Sequence, residues 1–404
     1  MSPATAAVEL AQERLAQRRD AGAAFFGAQA ERLAELCHRM AERFARGGRL
    51  IAIGLAPAAR SDVRHVTVEF VHPVIVGKRA LPALGLSGDG APLRRELALT
   101  AGADDIVMAF GEPGEPAAAE LVAAVAAGRD VGALTVAFAA LSAEVELDPP
   151  SGDPFVRQEL CETAYHVLWE LVHVFFEHRG LLEGRSERRV HDVGASSFLY
   201  PFLGEQESDL AAVLADVAAS ARMKSDDVAR LRADTLHQGA GPLAAAAADL
   251  RARLDDGGRL LALGNGGSAT DATDVVADFL DPPHGSGWRP RAAVDLGADA
   301  AILTALANDI GPEAMFARQI IAHGRPADTV LALSTSGNSL SVLDALGEAR
   351  RRGLLTVALV GYDGGRVAAE GLADHVIVSP SQYIPRIQEA QATVYQLLRE
   401  LVEG

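Results

Sequence analysis

Residues Gly257 to Ser268 read GGRLLALGNGGS, and residues Ser334 to Ser339 read STSGNS. In each, a short apolar run of strand character meets a loop of Gly, Ser, Thr and Asn that must open a helix. The first amides of a helix have no partner within it, and the helix dipole favours negative charge there, so such a loop holds an anion without a basic pocket. The expected anion cradle is Asn265, Gly266, Gly267 and Ser268 from the first loop, completed by the hydroxyls of Ser334, Thr335, Ser336 and Ser339 from the second.

Residues 47 to 54 read GGRLIAIG and match GGRLLALG at 257 to 264 in six positions of eight. Asp105-Ile-Val-Met-Ala-Phe pairs in the same way with Asp328-Thr-Val-Leu-Ala-Leu, and Leu134-Thr-Val-Ala-Phe with Leu355-Thr-Val-Ala-Leu. The chain is one domain written twice. A length of 404 residues gives each copy enough chain to bury its own core. The expected division is a first domain over 1–182, a linker over 183–206 and a second domain over 207–404. The linker lies in a stretch from Gly180 to Gln206 that mixes Gly, Ser, Arg and Pro, with Tyr200-Pro-Phe as its anchor.

Within each half, helical sequence with apolar residues at three and four spacing, such as Leu33, Leu36, Met40 and Phe44, leads into β-rich runs that alternate with helices. Strands are expected near 49–53, 81–86, 105–110 and 133–138, and again at Arg259–Leu263, Ala292–Leu296, Thr329–Leu333, Leu355–Val360 and His375–Val378. Near-continuous apolar strands separated by helices predict an α/β fold, with a parallel sheet covered on both faces. Closing helices are expected near 156–177 and 385–402.

Composition excludes several functions. A net charge of -17 and a pI near 5.1 argue against nucleic acid as the main partner, and the basic runs Arg185–Arg189 and Arg350–Arg352 read as solvated faces. Cys37 and Cys161 are the only cysteines, so no disulfide framework is expected and a reducing compartment fits. No stretch approaches the roughly 20 apolar residues that span a bilayer, and no signal-type segment opens the chain. The expectation is a soluble cytoplasmic protein with no membrane partner.

The order strand-GNGGS-helix, strand-STSGNS-helix, then a closing helix with Arg386-Ile-Gln-Glu, resembles the sugar isomerase (SIS) superfamily. Within it, the second half is most similar to the sedoheptulose 7-phosphate isomerases, or phosphoheptose isomerases. Leu306-Ala-Asn-Asp-Ile-Gly falls where they carry an Asn-Asp-aromatic-Gly segment. The resemblance implies two flavodoxin-like α/β/α SIS domains, each a parallel sheet flanked by helices. It also implies SIS–SIS pairing, hence a homodimer of tandem chains, and a phosphorylated sugar such as sedoheptulose 7-phosphate as partner.

The same resemblance implies a zinc site. The isomerases carry a His and a Glu four apart on the helix after the first loop, and a Gln and a His eight apart on the last helix. These bind the metal and transfer protons. In this chain the first half supplies them: His65 and Glu69, then Gln158 and His166. By the resemblance all four are metal ligands, with Glu69 and His166 also exchanging protons. Spacings of four and eight put each pair on one helix face. In the second half the matching positions are Asp274, Asp278, Gln388 and Gln396, a set without imidazole. His72, His173 and His178 lie near these segments and read as structural or surface residues.

The phosphate loops show the opposite distribution. In the first half Ala56-Pro-Ala-Ala replaces the glycines, and Gly111-Glu-Pro-Gly-Glu-Pro replaces STSGNS, with Glu112 and Glu115 set to repel phosphate. The expected activity is therefore a phosphosugar aldose-ketose isomerase with a composite site, the metal and acid-base groups coming from the first half and the phosphate loops from the second. Two alternatives stay open: a non-catalytic phosphosugar-binding regulatory SIS protein, and an accessory scaffold with a structural zinc.

Overall fold

A computed structural model describes residues 3–74, 78–88, 91–111, 114, 116–177, 182 and 209–404. The expected linker 183–206, the Tyr200-Pro-Phe anchor, Glu112, Glu115 and His178 lie outside the described residues. Two compact units result. Residues 20–226 form the N-terminal unit, and residues 1–19 with 227–404 form the C-terminal unit.

The N-terminal unit is built on strands β1 (Leu50–Ile53), β2 (Ala83–Leu86), β3 (Ile106–Ala109), β4 (Leu134–Ala137) and β5 (Val145–Glu146). They run in the order β2-β1-β3-β4-β5, every pair parallel. In β1, Leu50 and Ala52 enter one apolar cluster and Ile51 and Ile53 the other, so the period of two sends alternate residues to both faces of a fully covered sheet. On the first face lie α2 (Pro57–Val71) and α5 (Pro154–Glu177), joined by α1 (Pro3–Ala45) through Phe25, Phe26, Leu33, Leu36 and Met40. On the second lie α3 (Leu93–Thr100) and α4 (Ala118–Asp130).

The C-terminal unit repeats this plan with β6 (Leu260–Leu263), β7 (Ala293–Asp295), β8 (Thr329–Ser334), β9 (Leu355–Gly361) and β10 (His375–Ser379). Its order, β7-β6-β8-β9-β10, is again second-first-third-fourth-fifth and parallel throughout. Leu260 and Ala262 face one cluster, and Leu261 and Leu263 the other. Its helices are α6 (Leu210–Asp255), α7 (Gly267–Leu280), α8 (Ala300–Asp309), α9 (Met315–His323), α10 (Leu340–Arg351), the short α11 (Gly365–Ala369) and the closing α12 (Ile384–Glu403).

The units do not follow the boundaries 1–182 and 207–404. Helix α1 has 43 residues and α6 has 46, each about 65 Å or more of rise, several times an ordinary globular helix. Each is long enough to carry two apolar stretches. The start of α1 gives Leu10, Ala11 and Leu15 to the C-terminal core, and the start of α6 gives Val213, Val217, Ala218 and Ala221 to the N-terminal core.

The repeated sequence has a repeated fastening. Asp105 accepts hydrogen bonds from the Arg49 backbone N–H at 2.8 Å, from its guanidinium at 2.7 Å and from Gly102 N–H at 2.9 Å. Asp328 accepts the matching set from Arg259 at 2.9 and 2.8 Å and from Arg325 N–H at 3.0 Å. Each carboxylate thus ties the start of the first strand of its unit to the start of the third. Among the described residues, no helix is long and apolar enough to cross a membrane.

Candidate functional site

In an open sheet of order 2-1-3-4-5 the connections from the first and third strands diverge, which leaves a crevice at their carboxyl ends. In the C-terminal unit those strands are β6 and β8, paired with Leu263 opposite Ala332. The loop leaving β6 is Gly264-Asn265-Gly266, and that leaving β8 is Thr335-Ser336-Gly337-Asn338-Ser339, so both Gly/Ser loops open at the switch point. Gly264 is required by packing, because a Cβ there would lie 2.2 Å from the Ser268 carbonyl oxygen. Gly337 has φ +61°, and a Cβ would meet Gly364 O at 2.3 Å, so this turn accepts no side chain.

Some residues of the expected cradle hold the loops themselves. Ser334 Oγ accepts the Gly337 N–H at 3.1 Å, Ser336 Oγ accepts the Asn338 N–H at 3.2 Å, and Asn265 Nδ2 donates to Ser341 Oγ at 3.0 Å. Gly267 and Ser268 lie in the first turn of α7, behind Gly266 at its N-cap. Thr335, Ser336 and Ser339 are half-exposed at the loop surface, with Ser339 at the N-cap of α10. In the N-terminal unit the matching helix start has Ala56 at the N-cap and Pro57 in the first turn, which removes an N–H donor. Arg60 covers that turn, its Nε donating to Leu55 O at 2.9 Å.

The residues expected to carry acid-base chemistry lie where α2 and α5 pack together. His65 and His166 are buried, with Nε2 of one 3.3 Å from Nε2 of the other and ring centroids 5.0 Å apart. Glu69 Oε1 stands 3.9 Å from His65 Nε2. Burial, and then the charge of His166, hold the His65 pKa well below the ordinary imidazole value, so His65 is kept neutral. The two ring nitrogens are close enough to share a proton or to bind one cation together.

Glu162, one helical turn before His166, has no place in the expected set. Yet a carboxylate oxygen of Glu162 and one ring nitrogen each of His65 and His166 all lie within 4.8 Å of one another. The signal for it was the spacing of four from His166, the same spacing that singled out His65 and Glu69. Gln158 lies two turns before His166, with its amide nitrogen buried.

The donor set fits the zinc that the resemblance implied. Two nitrogens bound at about 2.0–2.1 Å to a tetrahedral zinc stand about 3.3–3.4 Å apart, which is the separation found here. Neutral imidazoles with a carboxylate are zinc-binding chemistry. In the C-terminal unit the matching residues Asp274, Gln388 and Gln396 are buried, and Gln396 Oε1 accepts from the buried Arg18 guanidinium at 3.0 Å. There a fixed organic cation adjoins the place of the last imidazole.

Residues 225–361 match the SIS domain model. A phosphoheptose isomerase from Pelodictyon phaeoclathratiforme is 42% identical over 177 residues, 43% of this chain and 83% of the relative. The chain belongs to the SIS domain family. A second phosphoheptose isomerase, from Chlorobium phaeobacteroides, is 44% identical over 178 residues, which cover 43% of this SIS chain and 77% of the relative. The C-terminal domain of glucosamine-fructose-6-phosphate aminotransferase from Francisella tularensis superposes with a TM-score of 0.59 at 10% identity. It covers 96% of this chain and 93% of that one, a likeness of fold over both SIS units.

Proposed function

We propose that the chain is a phosphosugar aldose-ketose isomerase acting on sedoheptulose 7-phosphate or a similar sugar phosphate, with phosphate recognition in the C-terminal unit and proton transfer in the N-terminal unit. One observation carries the reading: His65 and His166 face each other in a buried setting beside the carboxylates of Glu69 and Glu162. The identity to phosphoheptose isomerases and the retained phosphate loops support the substrate class.

Isomerisation moves a proton between C1 and C2 and another between their oxygens. Glu69 serves as the carboxylate that takes the proton from one carbon and returns it to the other. A zinc held by the imidazoles would polarise the carbonyl. The loops after β6 and β8 would hold the phosphate, a group that does not react, so its binding energy positions the substrate. A pair of tandem chains completes this reading, and sedimentation is expected to give twice the 42.2 kDa chain mass.

Proton NMR of sedoheptulose 7-phosphate in D2O, with zinc-supplemented protein, tests the activity. Wild type is expected to incorporate deuterium at the isomerising carbons. His166→Ala should lower turnover by about a hundredfold or more, and Ser336→Ala/Ser339→Ala should mainly raise KM. No deuterium incorporation by wild type would end the isomerase reading. It would favour the second one, a non-catalytic phosphosugar-binding protein, for which the lack of a histidine at the matching positions Asp274, Asp278, Gln388 and Gln396 speaks. That protein would be thermally stabilised by the sugar phosphate without turning it over.

A further inference from the structure

We propose that Glu162, together with His65 and His166, ligates a zinc-class divalent cation in the N-terminal unit, and that Glu69 stands outside the ligand set as the proton-transfer carboxylate. This departs from the set His65, Glu69, Gln158 and His166 that the resemblance implied, and it rests on the reading that the N-terminal unit carries metal chemistry.

Three observations support the assignment. A Glu162 oxygen converges with His65 and His166 nitrogens within 4.8 Å, and Glu69 does not belong to that mutually close set although it lies 3.9 Å from His65 Nε2. Glu162 and His166 are four residues apart on α5, about 6 Å of rise, so side chains of ordinary length meet over one point. Gln158 is eight residues from His166, about 12 Å of rise, and an amide is a weaker zinc ligand than a carboxylate. All three proposed ligands are buried, with Glu162 4%, His65 2% and His166 0% exposed, so a cation held there would be shielded from bulk water.

The assignment removes a chemical conflict. A carboxylate bound to zinc is a poor base, and a base that first leaves the metal pays twice for each turnover. With Glu162 on the metal, Glu69 can accept a proton while the ligand set stays intact. Two imidazoles and one carboxylate are also the three-ligand pattern that keeps a fourth zinc position for a substrate oxygen.

Cobalt(II) titration of the metal-free full chain, followed by visible absorption, reads the ligand set directly. Glu162→Gln is expected to weaken cobalt affinity by about a hundredfold, and Glu69→Gln to leave the affinity within about threefold and the spectrum unchanged. Glu162→Cys guards against misfolding of the first variant. It should add a thiolate-to-cobalt charge-transfer band that is absent from wild type, which already contains Cys37 and Cys161. Loss of cobalt in Glu69→Gln with retention in Glu162→Gln overturns the assignment, as does a wild type that takes up no cobalt. Cobalt binding that depends on Glu162, in a protein that turns over no sugar phosphate, leaves the assignment standing and removes only the isomerase reading.

Discussion

Asp105 and Asp328 show how much a single side chain can organise. For each, burial alone would raise the carboxyl pKa, but hydrogen bonds from the paired arginine side chain and from backbone N–H groups outweigh it and carry the pKa below the usual aspartate value. A lowered native pKa means that the unfolded chain binds the proton more readily. The stabilisation is therefore complete above about pH 5 and lost as pH falls through the lowered native value. Asp328→Asn keeps the shape but removes the charge from the Arg259 pair, at an expected cost of about 2–4 kcal/mol at pH 7. In urea titrations from pH 7 to pH 2.5, wild type should lose its advantage over Asp328→Asn as the acid limit is reached. A gap that stays constant with pH would mean that the carboxylate charge has no part in the fastening. The pairing of 105–110 with 328–333 was legible in the sequence, but the role of the two aspartates was not, because their partners lie 56 and 69 residues away.

At the scale of elements, the strands were the most legible feature. Buried parallel strands are continuous apolar runs, and those expected at 49–53, 105–110, 329–333 and 355–360 return within a residue or two. Strand β5 has only two residues, too few for any periodicity to register. Strand order is a property of long-range pairing and was unreadable. The proximity of Glu162 to His65 and His166 was not legible, because the family spacing of eight runs from Gln158 to His166 across the turn that holds Glu162. The Gly/Ser loops after β6 and β8 were legible as glycines, and the geometry separates those glycines by need. Gly337→Ala must force a Cβ against the Gly364 carbonyl in a left-handed turn, so the loop after β8 should deform and sugar phosphate affinity should fall by about tenfold or more. Gly347, inside α10, has nothing within 4 Å of its would-be Cβ, and Gly347→Ala should leave binding unchanged while stabilising the fold by up to about 1 kcal/mol. Isothermal titration with both variants checks the contrast. Equal losses would show that the loop's backbone conformation does not govern binding.

For the whole molecule, the consequence of the long helices is that a cut placed by sequence order removes part of a unit from the unit it belongs to. Residues 1–19 belong with the C-terminal sheet. There Ala11 is buried, Leu10 and Leu15 pack against the core, Arg14 Nε pairs with Glu400 at 2.9 Å, and Arg18 holds Gln396. Deleting them exposes that apolar surface and leaves a buried amide without its donor, at an expected cost of about 3 kcal/mol to the C-terminal unit. The two tryptophans allow this to be measured unit by unit. Trp169 is buried in α5 of the N-terminal unit, whereas Trp288 belongs to the C-terminal unit, where the Arg399 guanidinium lies 5.0 Å from its ring and 4.8 Å from that of Phe279. In a Trp169→Phe background, fluorescence follows Trp288 alone, and deletion of residues 1–19 should move its denaturant midpoint down. In a Trp288→Phe background, the Trp169 transition should move less, since the apolar residues that α1 gives to that core begin at Ala21. Equal shifts of both reporters would mean that the deletion acts on the chain as one cooperative body, and an unmoved Trp288 would mean that residues 1–19 add nothing to the stability of the sheet they accompany.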